Sequence, residues 1–310
     1  MARAAVPGRL SWHVATIKAT SDETGTARTL VLDVPAWPGH LPGQHVDARL
    51  TAQDGYSTQR SYSIGSPPEE GRLELTIQRL ADGEVSPYLA GIAEPGDQFD
   101  IKGPIGGWFT WTPESDRPLL LLAGGSGVVP LMSMIRAHGA ANSQVPVGLI
   151  YSARSPADVI YAHELSERTV SSPLNLTLLY TRSAHRGVPP GRVNAAVIAT
   201  SAFPPADDPS IFVCGPSGFV EAATTLLVGA GHRPAAIKTE RFGPSLFSPL
   251  AVFPRSPPGR RSPPSFPRRA AKTAALLSTR RRGGPLARGR GALAAGRFSP
   301  GGGLSGVEAL

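Results

Sequence analysis

A chain of 310 residues, 41% of them hydrophobic, has material for two cores. With no apolar leader region in MARAAVPGRLSWHVATIK and no run of 18 apolar residues, it excludes a membrane-spanning helix and points to the cytoplasm, while its single cysteine, Cys214, excludes an internal disulfide or a self-contained iron–sulfur cluster. The net charge of +8 suggests nucleic acid only until it is divided: residues 246–310 carry 12 Lys+Arg against one acid, Glu308, whereas residues 1–245 carry 19 against 22.

From residue 12 to 111 short strand patterns alternate with turn signals: HVATIKAT, TARTLVLDV, HVDARL, RSYSI, LELTIQRL and DQFDIKG, separated by stretches such as PAWPGHLPG and GSPPEEG. This spacing predicts a small antiparallel barrel over 10–113. One helix interrupts it, SPYLAGI, with Ser86 read as its N-cap.

Within RSYS, successive side chains alternate between faces, so Arg60 and Tyr62 share a face roughly 6 to 7 Å apart. Arg grips phosphate bidentately and Tyr offers a flat stacking surface, which matches a ligand with a phosphate at one end and a planar ring at the other. An exposed Arg beside a half-buried Tyr on a barrel strand is the plainer reading of so short a match.

After WTPESDRP the rhythm changes. PLLLLAGG is a continuous apolar run, as in a strand buried on both faces, and GVVPLMSMIRAHGA behind it reads as a helix. Then follow strand VPVGLIYSAR, helix PADVIYAHELSER over 156–168, strand LNLTLLYTRS, a less regular helical stretch RVNAAVIAT, strand SIFVCGP, helix GFVEAATTLLVGAG and strand AAIKTERF. Strands alternating with helices predict a doubly wound parallel sheet over 118–245, a nucleotide-binding arrangement. No internal repeat is present.

Gly124, Gly125, Ser126 and Gly127 form the turn from that buried strand into its helix. Glycines there let backbone N–H groups approach a pyrophosphate, and the helix N-terminus favours negative charge. The pattern is GxGxxP, with Pro130 in the first helical turn, where its missing N–H does no harm. A tight turn without a ligand competes with this reading. Cys214 in FVCGPSGF lies where another buried strand ends, the edge at which such sheets bind ligands, although a buried cysteine is commonly structural. Arg154, Arg182 and Arg192 follow strands or close the next loop and are placed to converge on one rim, where a 2′-phosphate would be met; solvated surface arginines compete.

The 65 residues of 246–310 include 40 Arg, Pro, Gly or Ala and show no apolar period, which predicts disorder. Three readings stand: a basic arm for nucleic acid or an anionic membrane, a solvated extension, and the product of a frameshift or lost stop codon in a GC-rich gene. The composition favours the last, because those four residues have the most GC-rich codons.

In order and spacing, RSYS, GEVS, GPIGGWF, GGSGVVP, and CGPSGF followed by KTERFG resemble the ferredoxin–NADP reductase superfamily of flavoproteins over residues 12–245. Chains of that family usually end soon after the segment matching ERFGPS, which fits the frameshift reading. The resemblance implies FAD, with FMN the lesser alternative, and NADPH or NADH as hydride donor. It puts Arg60 on the flavin pyrophosphate, Tyr62 against the isoalloxazine, and Ser63 near N5, with Ser61 between them. It adds Arg79, Gly83, Val85 and Ser86 as a second flavin segment. Gly124 to Gly127 and Pro130 would meet the nicotinamide dinucleotide. Cys214, with Gly215 and Pro216 after it, would sit by the nicotinamide, Glu240 nearby, and Phe242 close to the flavin. Ser63, Cys214 and Glu240 form the implied catalytic set, and the three arginines imply NADPH. No metal site is expected, the core is expected to bind no nucleic acid, and no membrane insertion is expected. With no fused iron–sulfur domain, the acceptor would be a separate redox protein or a small quinone, and the chain a monomer. Two rivals differ in class: a flavin- and nucleotide-binding subunit that does not turn over, and a nucleic-acid binder acting through the tail.

Overall fold

The computed structural model describes residues 10–68, 73–171, 174–185 and 187–243. The segment 246–310, with its readings as a disordered or frameshifted tail, lies outside the described residues.

Six strands, β1 (Trp12–Asp22), β2 (Ala27–Asp33), β3 (His45–Thr51), β4 (Ser57–Ser63), β5 (Leu73–Gln78) and β6 (Gln98–Ile105), make an antiparallel sheet in the order β4-β3-β6-β1-β2-β5. A bridge between Ile64 and Leu75, with the Gly65 N–H donating to the Glu74 carbonyl at 2.8 Å, brings the two edge strands together as in a barrel. Alternation does the packing: Ala15 and Ile17 on β1, Leu30 and Leu32 on β2, and Val46, Ala48 and Leu50 on β3 all point into one core. Helix α1 (Ser86–Gly91) adds Leu89 to that core, and Val85 before it does the same.

Ser86 is not the N-cap of α1. Val85 holds that position, and Ser86 is the first helical residue, its hydroxyl accepting a hydrogen bond from the Leu80 N–H at 3.1 Å. The Pro at the second position tolerates this arrangement, since its missing N–H needs no cap.

The second sheet is parallel throughout, in the order β11-β10-β7-β8-β9, from β7 (Leu119–Gly124), β8 (Val147–Ala153), β9 (Leu174–Tyr180), β10 (Ser210–Pro216) and β11 (Ile237–Phe242). Helices α2 (Val128–Ala140), α3 (Ala162–Ser171), α4 (Ala195–Ser201) and α5 (Ser217–Gly229) complete the crossovers. The run of leucines in β7 is explained by its two faces: Leu119 and Leu121 enter one core with α2, while Leu120 and Leu122 enter a second with α5. At about 2 kcal/mol per fully buried leucine, this strand anchors the sheet. The order reverses between β7 and β10, so the carboxyl ends of these neighbours form the topological switch point.

The predicted helix over 156–168 is broken. A short 3-10 turn, Pro156–Asp158, precedes α3, and between them Tyr161 adopts a left-handed φ of 61°. Tertiary contacts account for the break: the buried Tyr161 hydroxyl hydrogen-bonds Thr76 of β5, and its N–H donates to Glu23 at 3.2 Å. Arg136 of α2 makes a second tie across the sheets, donating to Glu164 at 2.6 Å, Glu74 at 2.8 Å and the Gly65 carbonyl at 2.8 Å. Among the described residues no helix is long and apolar enough to cross a membrane.

Candidate active site

On β4 the register pairs Tyr62 with Val46, Arg60 with Ala48 and Thr58 with Leu50, so Arg60 and Tyr62 do share a face. Tyr62 packs against the barrel core, and burial pushes its phenol well above the usual range, which keeps it neutral. Arg60 remains 57% exposed, donating to the Gln59 carbonyl at 2.7 Å, with the Glu84 carboxylate 4.0 Å away. Glu84 also accepts from the Thr58 hydroxyl at 3.1 Å and the Tyr56 hydroxyl at 3.2 Å. Sequence reasoning quoted Glu84 within GEVS without giving it a role. So exposed an ion pair contributes under about 1 kcal/mol.

The other residues called on this side divide. Ser61 faces away from Arg60 and donates to Asp47 at 2.7 Å. Arg79 is exposed, its side chain beside Gly91 of α1. Gly83 closes a turn onto the Leu80 carbonyl, and a Cβ there would lie 2.8 Å from the Ser86 hydroxyl, so the glycine is what lets Ser86 approach. Val85 and Ser86 are themselves buried, the former as barrel core.

At the switch point each glycine has its own reason. A Cβ on Gly127 would fall 2.2 Å from the Cys214 carbonyl oxygen, and one on Gly124 would strike the Phe219 ring at 2.8 Å. Gly215 also meets Phe219 at 2.8 Å. These three let the ends of β7 and β10 pack together. Gly125 differs: it has φ of 56° and nothing within 4 Å of a Cβ, leaving an open cradle bordered by backbone, which suits a pyrophosphate. Pro130 occupies the first turn of α2, as its place in GxGxxP predicts.

The three arginines are exposed. Their backbones converge, since the Arg182 N–H donates to the Arg154 carbonyl at 2.9 Å and the Gly191 N–H, next to Arg192, donates to Tyr180 at 2.8 Å. Between them the Ser183 hydroxyl is buried without a hydrogen-bond partner among the described residues. A dinucleotide carrying an extra phosphate would meet cations and an unused hydroxyl here.

At one place β3 of the barrel-like sheet comes within side-chain reach of β11 of the parallel sheet. His45 of β3 is register partner to Ser63, and Cys214 of β10 is register partner to Glu240. Across the junction His45 Nδ1 lies 3.6 Å from Glu240 Oε1. The other carboxylate oxygen, Oε2, is buried without a partner among the described residues, and burial pushes Glu240 up to about 7. Cys214 is fully buried, and desolvation, with the Glu240 charge beside it, drives its thiol well up. Burial thus favours the neutral thiol over the thiolate. Lys238, two residues before Glu240, donates to the Thr110 carbonyl at 3.0 Å and lies near the Phe212 and Trp108 rings. Phe242 closes β11 opposite Pro216, half-buried against the α2 core. His45 was missed by sequence reasoning, although its place opposite Ser63 follows once β3 and β4 are paired. Among the described residues no group of three or more His, Cys, Asp or Glu side chains is placed to hold a metal ion.

This geometry fits a flavin and a nicotinamide coenzyme: an exposed, loosely paired cation and an aromatic on one strand, an open glycine cradle at a switch point, and orphaned buried oxygens at Glu240 and Ser183. Comparison with known proteins agrees. Residues 12–110 match the family model described as an oxidoreductase FAD-binding domain, and residues 121–225 match that of an oxidoreductase NAD-binding domain. Curated relatives include the ferredoxin reductase component of 3-ketosteroid-9-alpha-monooxygenase from Mycobacterium tuberculosis, 32% identical over 66% of this chain and 58% of the relative. The glycine betaine monooxygenase reductase subunit of Pseudomonas aeruginosa is 32% identical over 72% of this chain, which spans 62% of that protein's length. Among solved structures, the FAD/NAD-binding domain of nitric oxide dioxygenase from Vibrio cholerae superposes with a TM-score of 0.69 at 23% identity, covering 75% of this chain and 99% of that one, and so attests the fold. The chain belongs to the ferredoxin reductase-like flavin oxidoreductases, with an FAD-binding and an NAD-binding domain.

Proposed function

We propose that the protein is an NAD(P)H-dependent FAD reductase that passes electrons to a separate acceptor, a ferredoxin or an oxygenase component before a small quinone, and that it works as a monomer. The flavin module spans 10–113 and the nucleotide module 118–245. The observation that carries this reading is the approach of His45, register partner of Ser63 in the flavin module, to Glu240, register partner of Cys214 in the nucleotide module, at 3.6 Å. Two reductase relatives named as components of monooxygenases support a protein acceptor.

When bound, the flavin supplies the redox chemistry, taking a hydride from the coenzyme and giving electrons up singly or as a pair. The chain's own residues hold and orient. Arg60 neutralises pyrophosphate charge once Glu84 yields, and Tyr62, fixed by the barrel core, presents its ring as a platform. The open backbone at Gly125 takes the coenzyme pyrophosphate, and Arg154, Arg182 and Arg192 favour a 2′-phosphate and hence NADPH. Cys214 packs the floor of the junction and excludes water, Ser63 donates from β4, and Glu240 holds a proton near neutrality.

The test is steady-state oxidation of NADPH and of NADH by the purified protein, with ferricyanide as one-electron acceptor. Turnover with a lower KM for NADPH is expected. Bound flavin without oxidation of either coenzyme, by ferricyanide or any other artificial acceptor, would overturn the reductase reading in favour of a non-turnover subunit.

A further inference from the structure

Glu240 is a carboxylate in an awkward place. It stands at the carboxyl end of β11, a quarter exposed, with one oxygen buried and unpartnered and the other 3.6 Å from His45 Nδ1. His45 is also a quarter exposed and comes from the other sheet. That separation is within ion-pair range and a small side-chain adjustment from a hydrogen bond. A buried carboxylate facing an imidazole in this way has two ways to avoid an isolated charge: keep its proton, or hand it to the imidazole.

We propose that His45 and Glu240 share one proton across the junction of the two sheets, and that His45 is the positioning residue that sets the protonation state of Glu240. The exchange is a simple transfer, from Glu240 Oε1 to His45 Nδ1, converting carboxyl and neutral imidazole into carboxylate and imidazolium without moving electrons.

One other charge acts on the pair, that of Asp47, which raises His45 against the burial that lowers it. From β10 the neighbouring group is Cys214, a fully buried thiol that stays neutral. From β3, Asp47 stands two residues along from His45, but it accepts from Ser61 at 2.7 Å and pairs with Lys102 of β6 at 3.2 Å. On β11, Lys238 donates to the Thr110 carbonyl, and Arg241 is drawn to Glu221 of α5 at 3.6 Å. From β4 come Ser63, the register partner of His45, and Tyr62, whose phenol is held neutral by burial. The loop after β6 contributes Gly106, a Cβ on which would meet the His45 ring at 3.6 Å. Burial raises Glu240 to about 7 and lowers His45 from its ordinary value, driving each toward its neutral form.

The use follows from proton balance. Oxidation of NAD(P)H to NAD(P)+ with two electrons delivered to a one-electron acceptor liberates one proton. That proton must leave a dry junction for water, and each member of the pair has one side buried and one side exposed. This step rests on the reductase reading above, whereas the shared proton itself does not.

The experiment is therefore made in two arms. In the first, nitrogen-15 NMR follows the His45 ring against pH in the wild-type protein and in Glu240→Gln, with no coenzyme present. The proposal expects a biphasic wild-type curve and a single-step curve in Glu240→Gln with the His45 pKa lower by about one unit, from the loss of a facing carboxylate. Identical curves would overturn the shared proton. In the second, the midpoint potential of the flavin-loaded protein is measured electrochemically from pH 5 to 9 in wild type and His45→Gln. The expected result is a break in the wild-type slope near neutrality that moves by at least half a pH unit in the variant. An unmoved break would overturn the coupling to electron transfer. A protein that retains no flavin would contradict the reductase reading, while the first arm still decides the pair.

Discussion

Arg60 and Glu84 hold each other loosely at 4.0 Å, and that looseness predicts opposite effects from the two residues. Arg60→Ala should weaken FAD binding at least tenfold, the loss of one charge-assisted phosphate contact, while Glu84→Gln should tighten it several-fold. Fluorescence titration checks both, with riboflavin, which has no phosphate, as the control that neither variant should alter. Glu240 makes a pH prediction with a defined sign. Its folded-state pKa stands near 7 against an ordinary 4.5, so the fold retains a proton that the unfolded chain has lost, and stability falls as pH rises between those values. Glu240→Gln should match wild type at pH 4 and exceed it at pH 8 by up to about 3 kcal/mol in urea unfolding. Chemistry contained in a short stretch was legible before the fold: RSYS showed its shared face, and the glycine turn its strand-to-helix role. Glu84 and His45 were not, because each approaches β4 from another segment and has an ordinary local context.

At the scale of elements, close approach of backbone decides more than propensity. Gly127 presses on the Cys214 carbonyl so tightly that an added Cβ would sit 2.2 Å away, with backbone as the obstacle. Gly127→Ala should therefore cost several kcal/mol and lower Tm by roughly 5 °C or more, whereas Gly125 has space for a Cβ and is constrained only by its left-handed φ. Reading GxG as a phosphate motif gave both glycines one role; the structure separates them. The alternation of strands and helices came through in the apolar period because burial follows that period directly. The helix over 156–168 forms only from Ala162 onward, since the bonds of Tyr161 to Thr76 and Glu23 outweigh the local helical pattern before it. Ser86 as a cap did not hold, because its hydroxyl serves Leu80 instead.

At the largest scale, the described residues form a barrel-like sheet and a parallel sheet tied by Arg136 and Tyr161. Both sheets were readable from the change of hydrophobic rhythm after WTPESDRP, whereas the order of strands and the pairing across the junction depend on contacts far apart in sequence. Coenzyme choice belongs to this scale, as Arg154 comes from the crossover after β8 and Arg182 and Arg192 from the crossover after β9. Arg182→Ala should raise the KM for NADPH about tenfold and leave that for NADH nearly unchanged, by loss of a phosphate contact. Equal changes for both coenzymes would contradict the 2′-phosphate assignment. The most direct test of the central claim is the visible spectrum of the purified protein, recorded without oxygen before and after adding NADPH and then, in a second sample, NADH. The account predicts a yellow protein that NADPH bleaches faster than NADH does. A protein that stays colourless after incubation with FAD, and whose spectrum neither coenzyme changes, would contradict it.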